Sequence, residues 1–429
     1  MSPGAKSMLA VFGALALPSL APAQPSSAAP FPDELTLELA IDLALERNPA
    51  LQAFRSEVEI AQADVVTAGL RPNPELSVES EEYPYFQATR PPFFSGQTVT
   101  AGVEYEIQTK RRRRLRTGAA EAVVRREGAN VENAARLLRL DVRTAFYRVL
   151  LAESNRQLAE AILNQTDQVI ELNRARFEQG EISGLELTRI EVERLSFADD
   201  LFQARLELRN AKAALLALVN SPDIGMEVQV RGDLNEMPAV GLASDATGED
   251  LVARAFEMRP DLRAAHAQVE RATAQQRVER AIAHPNISVR GGYQRAESDH
   301  SLVAEIAIPL TIFDRNQGQI MRSNAEARQA ESLLAAARLR VALEVRQAHN
   351  AVEVNRERVE YIQTQQVRQA REASQVTFAA YRLGGVPLMN YLDAQRRYRD
   401  TMRVLNQALY DERLSVFELA AAIGGGQQR

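Results

Sequence analysis

The chain of 429 residues has no Cys and no Trp. The first absence excludes disulfide scaffolds, thiolate zinc sites, iron–sulfur clusters and cysteine nucleophiles together. The four His, at positions 266, 284, 300 and 349, fall in unrelated segments with no two at ligand spacing, and the eight Met are equally scattered, so neither a metal site nor a thioether relay is expected. No nucleophile elbow, P-loop or dinucleotide fingerprint occurs, no cofactor is expected, and carboxylate pairs are too common to mark hydrolysis, so an enzyme is not expected. There is no basic excess: 51 Lys and Arg stand against 57 Asp and Glu, interspersed along the chain, which argues against a nucleic-acid partner. Beyond the first 20 residues no apolar run is long enough to cross a bilayer as a helix.

What is present begins with a leader. Lys6 supplies a positive start, Met8 to Leu17 an apolar stretch, and Ala21-Pro22-Ala23 a small-residue cleavage site, so residues 1–23 read as a signal peptide of an exported chain, followed by a linker over 24–34. A buried N-terminal helix is the competing reading, opposed by Pro18, Pro22, Pro25 and Pro30. No Cys follows the apolar stretch, so lipidation there is not expected.

The rest is one unit written twice. Glu46-Arg47-Asn48-Pro49 and Arg71-Pro72-Asn73-Pro74 answer Glu257-Met258-Arg259-Pro260 and His284-Pro285-Asn286, with both pairs of Pro 211 residues apart. Asp141-Val142-Arg143 answers Glu344-Val345-Arg346, and Gly180 answers Gly384, at an offset about seven residues shorter. Repeat 1 spans 35–221 and repeat 2 spans 249–424, with an inter-repeat segment at 222–248 and a tail at 425–429. Each repeat runs from two short helices, broken at Pro, into a stretch of period two. Strands are expected at about 74–82, 98–108, 285–293 and 301–311, paired within each repeat as hairpins with loops over 83–96 and 295–300. Very long helices follow at about 115–178 and 318–382, then return helices at about 185–219 and 387–423, reversed at turns centred on Gly180 and Gly384. The longer ones would measure roughly 90 to 100 Å. Positions 330, 334, 337, 341, 345, 348 and 352 step by three and four as in a coiled-coil seam.

Four strands with one lipid-compatible face cannot close a barrel, and an open sheet cannot sit in hydrocarbon. Three copies would supply twelve strands and two would supply eight with little lumen, a choice that sequence alone leaves open. The expectation is a mainly α chain with a membrane β-barrel, a self-associating conduit. A soluble periplasmic coiled-coil scaffold would explain the helices but not the strands.

The whole mature chain resembles the TolC-like outer-membrane factor family, and within it the outer-membrane components of tripartite cobalt–zinc–cadmium exporters. The residues that carry this are Glu46-Arg47-Asn48-Pro49, Leu70-Arg71-Pro72-Asn73-Pro74, Ile308-Pro309-Leu310-Thr311-Ile312-Phe313-Asp314-Arg315-Asn316-Gln317-Gly318 and Tyr391-Leu392-Asp393-Ala394-Gln395-Arg396. The resemblance implies a homotrimer with a 12-stranded barrel in the outer membrane of a Gram-negative bacterium and a periplasmic α-helical barrel. It also implies a periplasmic adaptor and a proton-driven inner-membrane pump as partners. The function implied is a passive exit duct for heavy-metal cations, with multidrug efflux or type I secretion as alternatives. Many relatives carry a lipidation Cys and a Gly-rich step after the first hairpin, where this chain has neither and reads Gln108-Thr109-Lys110.

Candidate sites follow in three groups. If Val99, Ala101, Val103, Tyr105 and Ile107 face lipid, then Glu75, Glu79, Glu81, Glu104, Glu106 and Glu305 line the lumen against Arg290; repeated by symmetry they would favour cations, although any wet lumen needs polar groups. By resemblance, Tyr381 and Glu186 match a hydrogen-bonded pair at the closed end, Asp393 matches one acidic ring, Asn390 stands where the other would be, and Val386 replaces a basic lock. Gly180, Ile182, Ser183, Leu383, Gly384 and Val386 match the adaptor-docking tips. The run Lys110 to Arg114 reads either as a solvated helix start or as an anchor to anionic lipid head groups, outer-membrane lipid being an expected partner.

Overall fold

Proline and Asn place the first helices. Asn48 ends α1 (Leu37–Arg47) and caps α2 (Pro49–Gly69), its Oδ1 accepting from the N–H of Ala50 at 3.0 Å and of Leu51 at 3.2 Å. Arg259 stands at the matching junction between α5 (Gly248–Met258) and α6 (Pro260–Ile282), and α5 opens with a capping box between Thr247 and Asp250. The computed structural model describes residues 31–81, 97–237, 247–296 and 299–425. The expected leader, most of the linker, the whole of the first hairpin loop, the middle of the second, 238–246 of the inter-repeat segment and most of the tail lie outside the described residues.

Two sheets form. A short parallel pair, β1 (Glu34–Leu35) with β4 (Gln229–Val230), joins the chain's start to the inter-repeat segment, a contact the sequence reading missed because two residues carry no period. The larger sheet has β2 (Glu75–Glu81), β3 (Thr98–Ile107), β5 (Ile287–Ala296) and β6 (Asp299–Ala307) in that spatial order, all antiparallel. The two hairpins are therefore stitched together by β3 and β5. The last hairpin sits nearer its turn than expected: β6 stops at Ala307, not near residue 311, because Pro309 has no N–H for the ladder. The sheet is open, with β2 and β6 as edges among the described residues.

From the same end of the sheet the long helices start. α3 (Arg112–Glu178) has 67 residues and returns as α4 (Gly184–Leu218). Lys110 and Arg111 before it, and Asn316 before α7 (Gln317–Tyr361), hold positive φ, so both strand-to-helix steps pass through the left-handed region. The second long helix is not continuous, as the sequence reading had it. A π-helical segment, Ile362–Val367, separates α7 from α8 (Arg368–Arg382), and its two terminal apolar residues are both buried. α9 (Leu388–Ala422) closes the fold. The coiled-coil seam of α7 is used: Val341 and Val345 pack with Leu251, Leu262, Leu419 and Ile423 in one apolar cluster.

Beside that cluster two guanidinium groups hold the end of α9. Arg136 Nη1 donates to the carbonyl of Ala421 at 2.7 Å, and Arg259 Nη1 to that of Ala422 at 3.2 Å, cations meeting the negative end of a helix. Arg259 is also bridged to Asp261 at 2.6 Å and to Glu344 at 2.6 Å. Burial by itself would raise the Asp261 carboxyl, but the Arg259 hydrogen bonds hold it below its ordinary value. Arg259→Met leaves two partly solvated carboxylates unpaired and is expected to cost about 1–3 kcal/mol in denaturant unfolding. Because the Asp261 pKa is depressed in the folded state, its share of the stability is present above the unfolded value of about 3.9 and lost as pH falls through the folded one. The gap between parent and variant should accordingly narrow below about pH 4, and a gap independent of pH would contradict this account of Asp261.

Candidate functional site

In the larger sheet the register sorts residues by face. Leu76 pairs with Val103, Val78 with Ala101, Ala101 with Tyr293 and Tyr293 with Leu302, so most large apolar residues of the four strands share one side, Val303 excepted, with Arg295 and His300 at that side's far end. That side is open in the single chain: Leu302 is 89% exposed, Leu76 75% and Ile306 72%. An apolar surface of this continuity requires a non-aqueous neighbour. On the other side Glu75, Glu104, Arg290 and Glu305 stand side by side across the four strands. Glu79 receives a hydrogen bond from Arg290 Nη2, Glu106 is tied to Asn286 Nδ2, and Glu81 lies at the far end opposite Thr98. The structure thus gathers Glu75, Glu79, Glu104 and Glu305 around one Arg and leaves Glu106 and Glu81 at the margins.

The basic run at the sheet's lower end divides in two. Lys110, Arg111, Arg113 and Arg114 are exposed. Arg112 instead turns back on the end of α6, its Nε donating to the carbonyl of Ala281 at 3.3 Å and Nη2 to that of Ile282 at 3.2 Å. It is a helix-end brace, a role that five like residues in sequence do not reveal. Among the described residues there is no group of three His, Asp or Glu that could hold a metal ion.

At the opposite end of the long helices, both turns close on a left-handed Gly. Gly180 has φ +75 and Gly384 φ +74; the N–H of Glu181 donates to the carbonyl of Arg176 at 2.9 Å, and that of Gly385 to the carbonyl of Ala380 at 2.8 Å. The two tips are joined through Arg176. Its Nη2 donates to the carbonyl of Arg382 at 2.6 Å and its guanidinium lies 5.5 Å from the Tyr381 ring centre, so the first tip caps the second. Sequence reasoning missed this residue; an Arg in a helix's last turn is a common cap, but here the carbonyl belongs to the other repeat. Val169, Ile170, Ile190, Leu388, Tyr391 and Leu392 complete an apolar cluster around Tyr381.

The expected Tyr381 to Glu186 bond is corrected here. The Tyr381 hydroxyl donates to Asn173 Oδ1, both groups being buried. A neutral amide can accept there without the desolvation cost of a carboxylate. Glu186 is half-buried in the first turn of α4, where its N–H donates to Ser183 Oγ at 3.3 Å, so Ser183 is the helix cap. Burial raises the Tyr381 phenol above its ordinary value, the Asn173 bond and the Arg176 charge oppose the rise, and Glu186 adds to it. Tyr391 stacks on Tyr381 with ring centres 5.8 Å apart, and burial lifts its phenol to about 12.

Asp393 and Asn390 are exposed on the first turns of α9. Asp393 is not the isolated carboxylate that sequence suggested: Arg396 Nη1 lies 3.2 Å from it, and Arg396 Nε donates to Glu193 of α4 at 2.7 Å. Beneath them Gln395 is fully buried, accepting from Ser374 Oγ at 3.1 Å and donating to Gln165 at 3.0 Å. Around the tips Leu383 is 89% exposed, with Leu185 and Phe177 also open, while Ile182 and Val386 are half-buried.

Comparison with known proteins gives four matches. The family described as outer membrane efflux protein matches residues 40–221 and 251–425. The chain is 28% identical, over 88% of its length and 86% of the relative's, to the cobalt-zinc-cadmium resistance protein CzcC of Cupriavidus metallidurans. It is 25% identical, over 67% of its length and 61% of the relative's, to the pyoverdine export outer membrane protein OpmQ of Pseudomonas aeruginosa. Among solved structures CusC, described for its transmembrane channel formation, superposes with a TM-score of 0.75 at 20% identity, covering 91% of this chain and 92% of that one.

The tip geometry yields a local prediction. Tyr381→Phe strands the buried Asn173 Oδ1 and should cost about 1–3 kcal/mol. Hydrogen exchange should then quicken at the amides of 177–183 and 381–385, with Glu186→Gln leaving those rates nearly unchanged. The reverse ranking would restore the Glu186 pairing.

Proposed function

Since the chain belongs to the outer membrane efflux protein family, we propose that three copies close a 12-stranded barrel in that membrane and form the exit duct of a tripartite system for heavy-metal cations. The observation that carries the reading is the open sheet with an apolar outer face, a carboxylate-rich inner face and two unpaired edges. α4 supports self-association below the membrane: Leu185, Val192, Leu195, Phe202 and Leu206 step by seven, three, seven and four along one exposed stripe. In this reading residues 1–23 are removed on export, and the repeats at 35–221 and 249–424 each give one hairpin, one sixth of the closed barrel.

The helix tips would meet a periplasmic adaptor, which links the duct to a proton-driven pump in the inner membrane. Leu383, Ile182, Ser183 and Val386 are the contact residues, on turns that Gly180 and Gly384 set. The gate would be the Tyr381 cluster with Asn390 and Asp393 facing the axis and Glu186 supporting α4. Because Arg396 partly neutralises Asp393, closure rests on packing rather than on a carboxylate ring. Metal cations are favoured over a siderophore because the metal-resistance relative matches nearly the whole chain and the sheet's inner face is acidic. The exposed Lys110, Arg111, Arg113 and Arg114 would lie at the inner leaflet's anionic head groups.

The purified protein should run as a trimer in detergent, and Leu195→Glu with Phe202→Glu should reduce trimer yield. Deleting the gene should lower tolerance to cobalt, zinc or cadmium; if tolerance to those ions is unchanged while siderophore or drug export falls, the metal assignment is wrong. Gly384→Trp should abolish export with trimer yield intact, and export that survives would remove the tips from docking. Asp393→Ala should weaken divalent-cation block in planar bilayers with little change in resting closure.

A further inference from the structure

Arg290 is the one basic side chain among the described residues on the polar face of the sheet. Its neighbours in register are Glu104 and Glu305, yet its hydrogen bonds go elsewhere. Nη2 reaches across β3 to Ser77 Oγ at 2.6 Å and to Glu79, both on β2, two strands away. A side chain spans that distance, about 10 Å, only by lying flat on the sheet.

The space for it is made by glycine. A Cβ at Gly102 of β3 would stand 3.3 Å from Arg290 Nε and 3.3 Å from the Gly291 carbonyl oxygen; opposite, a Cβ at Gly292 would stand 2.7 Å from the Ala101 carbonyl oxygen. At this height the wall therefore has no side chains on two adjacent strands, and the guanidinium occupies the trough. It pairs with Glu79 there, while Glu75, Glu104 and Glu305 have no ion pair among the described residues. A cation that would otherwise project from the wall is held against it.

We propose that Arg290 is a specificity-determining residue for ion passage, clamped to the wall over Gly102, and that Gly102 is its positioning residue. The proposal rests on the reading that the polar face lines the duct. Clamped, Arg290 cancels Glu79 and leaves the remaining carboxylates to attract cations. Released, it would stand in the lumen once per copy and repel them.

Trimers reconstituted in planar bilayers under a potassium chloride gradient read this directly through the reversal potential. A unit charge about 10 Å from an ion path in water changes local ion concentration about twofold. Because potassium rises as chloride falls, Arg290→Gln should raise the potassium-to-chloride preference by about fourfold or more. Gly102→Val leaves the chain's charge unchanged and should lower it, a shift that a merely structural glycine would not produce. If Gly102→Val does not assemble, Ser77→Val is the equivalent variant, since it removes one clamp bond and crowds the trough. No shift, or a shift of opposite sign, in both Arg290→Gln and the trough variant overturns the clamp. The double variant Glu104→Gln with Glu305→Gln separates the two levels. If it lowers the preference while the others do nothing, only the clamp fails; if it too has no effect, the polar face does not line the duct.

Discussion

The edge strands β2 and β6 each present backbone N–H and C=O groups that have no partner among the described residues of their own chain. In water such edges could be solvated. Beside an apolar face carrying Leu76, Val78, Leu302 and Ile306 they cannot be, because a bilayer offers no hydrogen bonds. In the proposed duct, oligomerisation, barrel closure and a lumen would all follow from satisfying those groups with further copies of the same sheet. The helices inherit their arrangement from it: α3 and α7 start from one end of the sheet, so a proposed ring of strands would continue as a ring of helices.

The far end of the fold obeys a different chemistry. Between the repeats near the tips, the apolar cluster around Tyr381 is joined by polar contacts, Tyr381 on Asn173, Gln395 on Gln165, Arg396 on Glu193 and Arg399 on Asp200 at 2.7 Å. Each is directional and buried or half-buried, so it specifies register between helices more than it adds net stability. Near the sheet-side end of α9, by contrast, the contacts are an apolar cluster braced by Arg136 and Arg259. The π-helical break at Ile362–Val367 lies between those two regions, on the helix that packs with α9.

Much was legible in the primary structure because it depends on period and on backbone chemistry. The strands alternate, the helices step by three and four, Pro49, Pro74, Pro260 and Pro285 stop what precedes them, and Gly180 and Gly384 mark the reversals of the long helices. Those signals are local, so one copy of the chain suffices to read them. The internal repeat strengthened each, since the same pattern stands at matching places in both halves, and the resemblance to the family rested on motifs at those same joints.

What only tertiary structure decided was the choice of partner. Nothing local distinguishes Asn173 from Glu186 as the acceptor for Tyr381, or Glu79 from Glu104 and Glu305 as the companion of Arg290. Arg112, Arg176 and Arg259 look like any surface Arg in sequence and become braces only because a helix end from elsewhere in the chain arrives within 3.3 Å. Hydrogen bonds and ion pairs have short range and fixed geometry, so their partners depend on where distant backbone lies, whereas hydrophobic period and proline sterics act within a few residues.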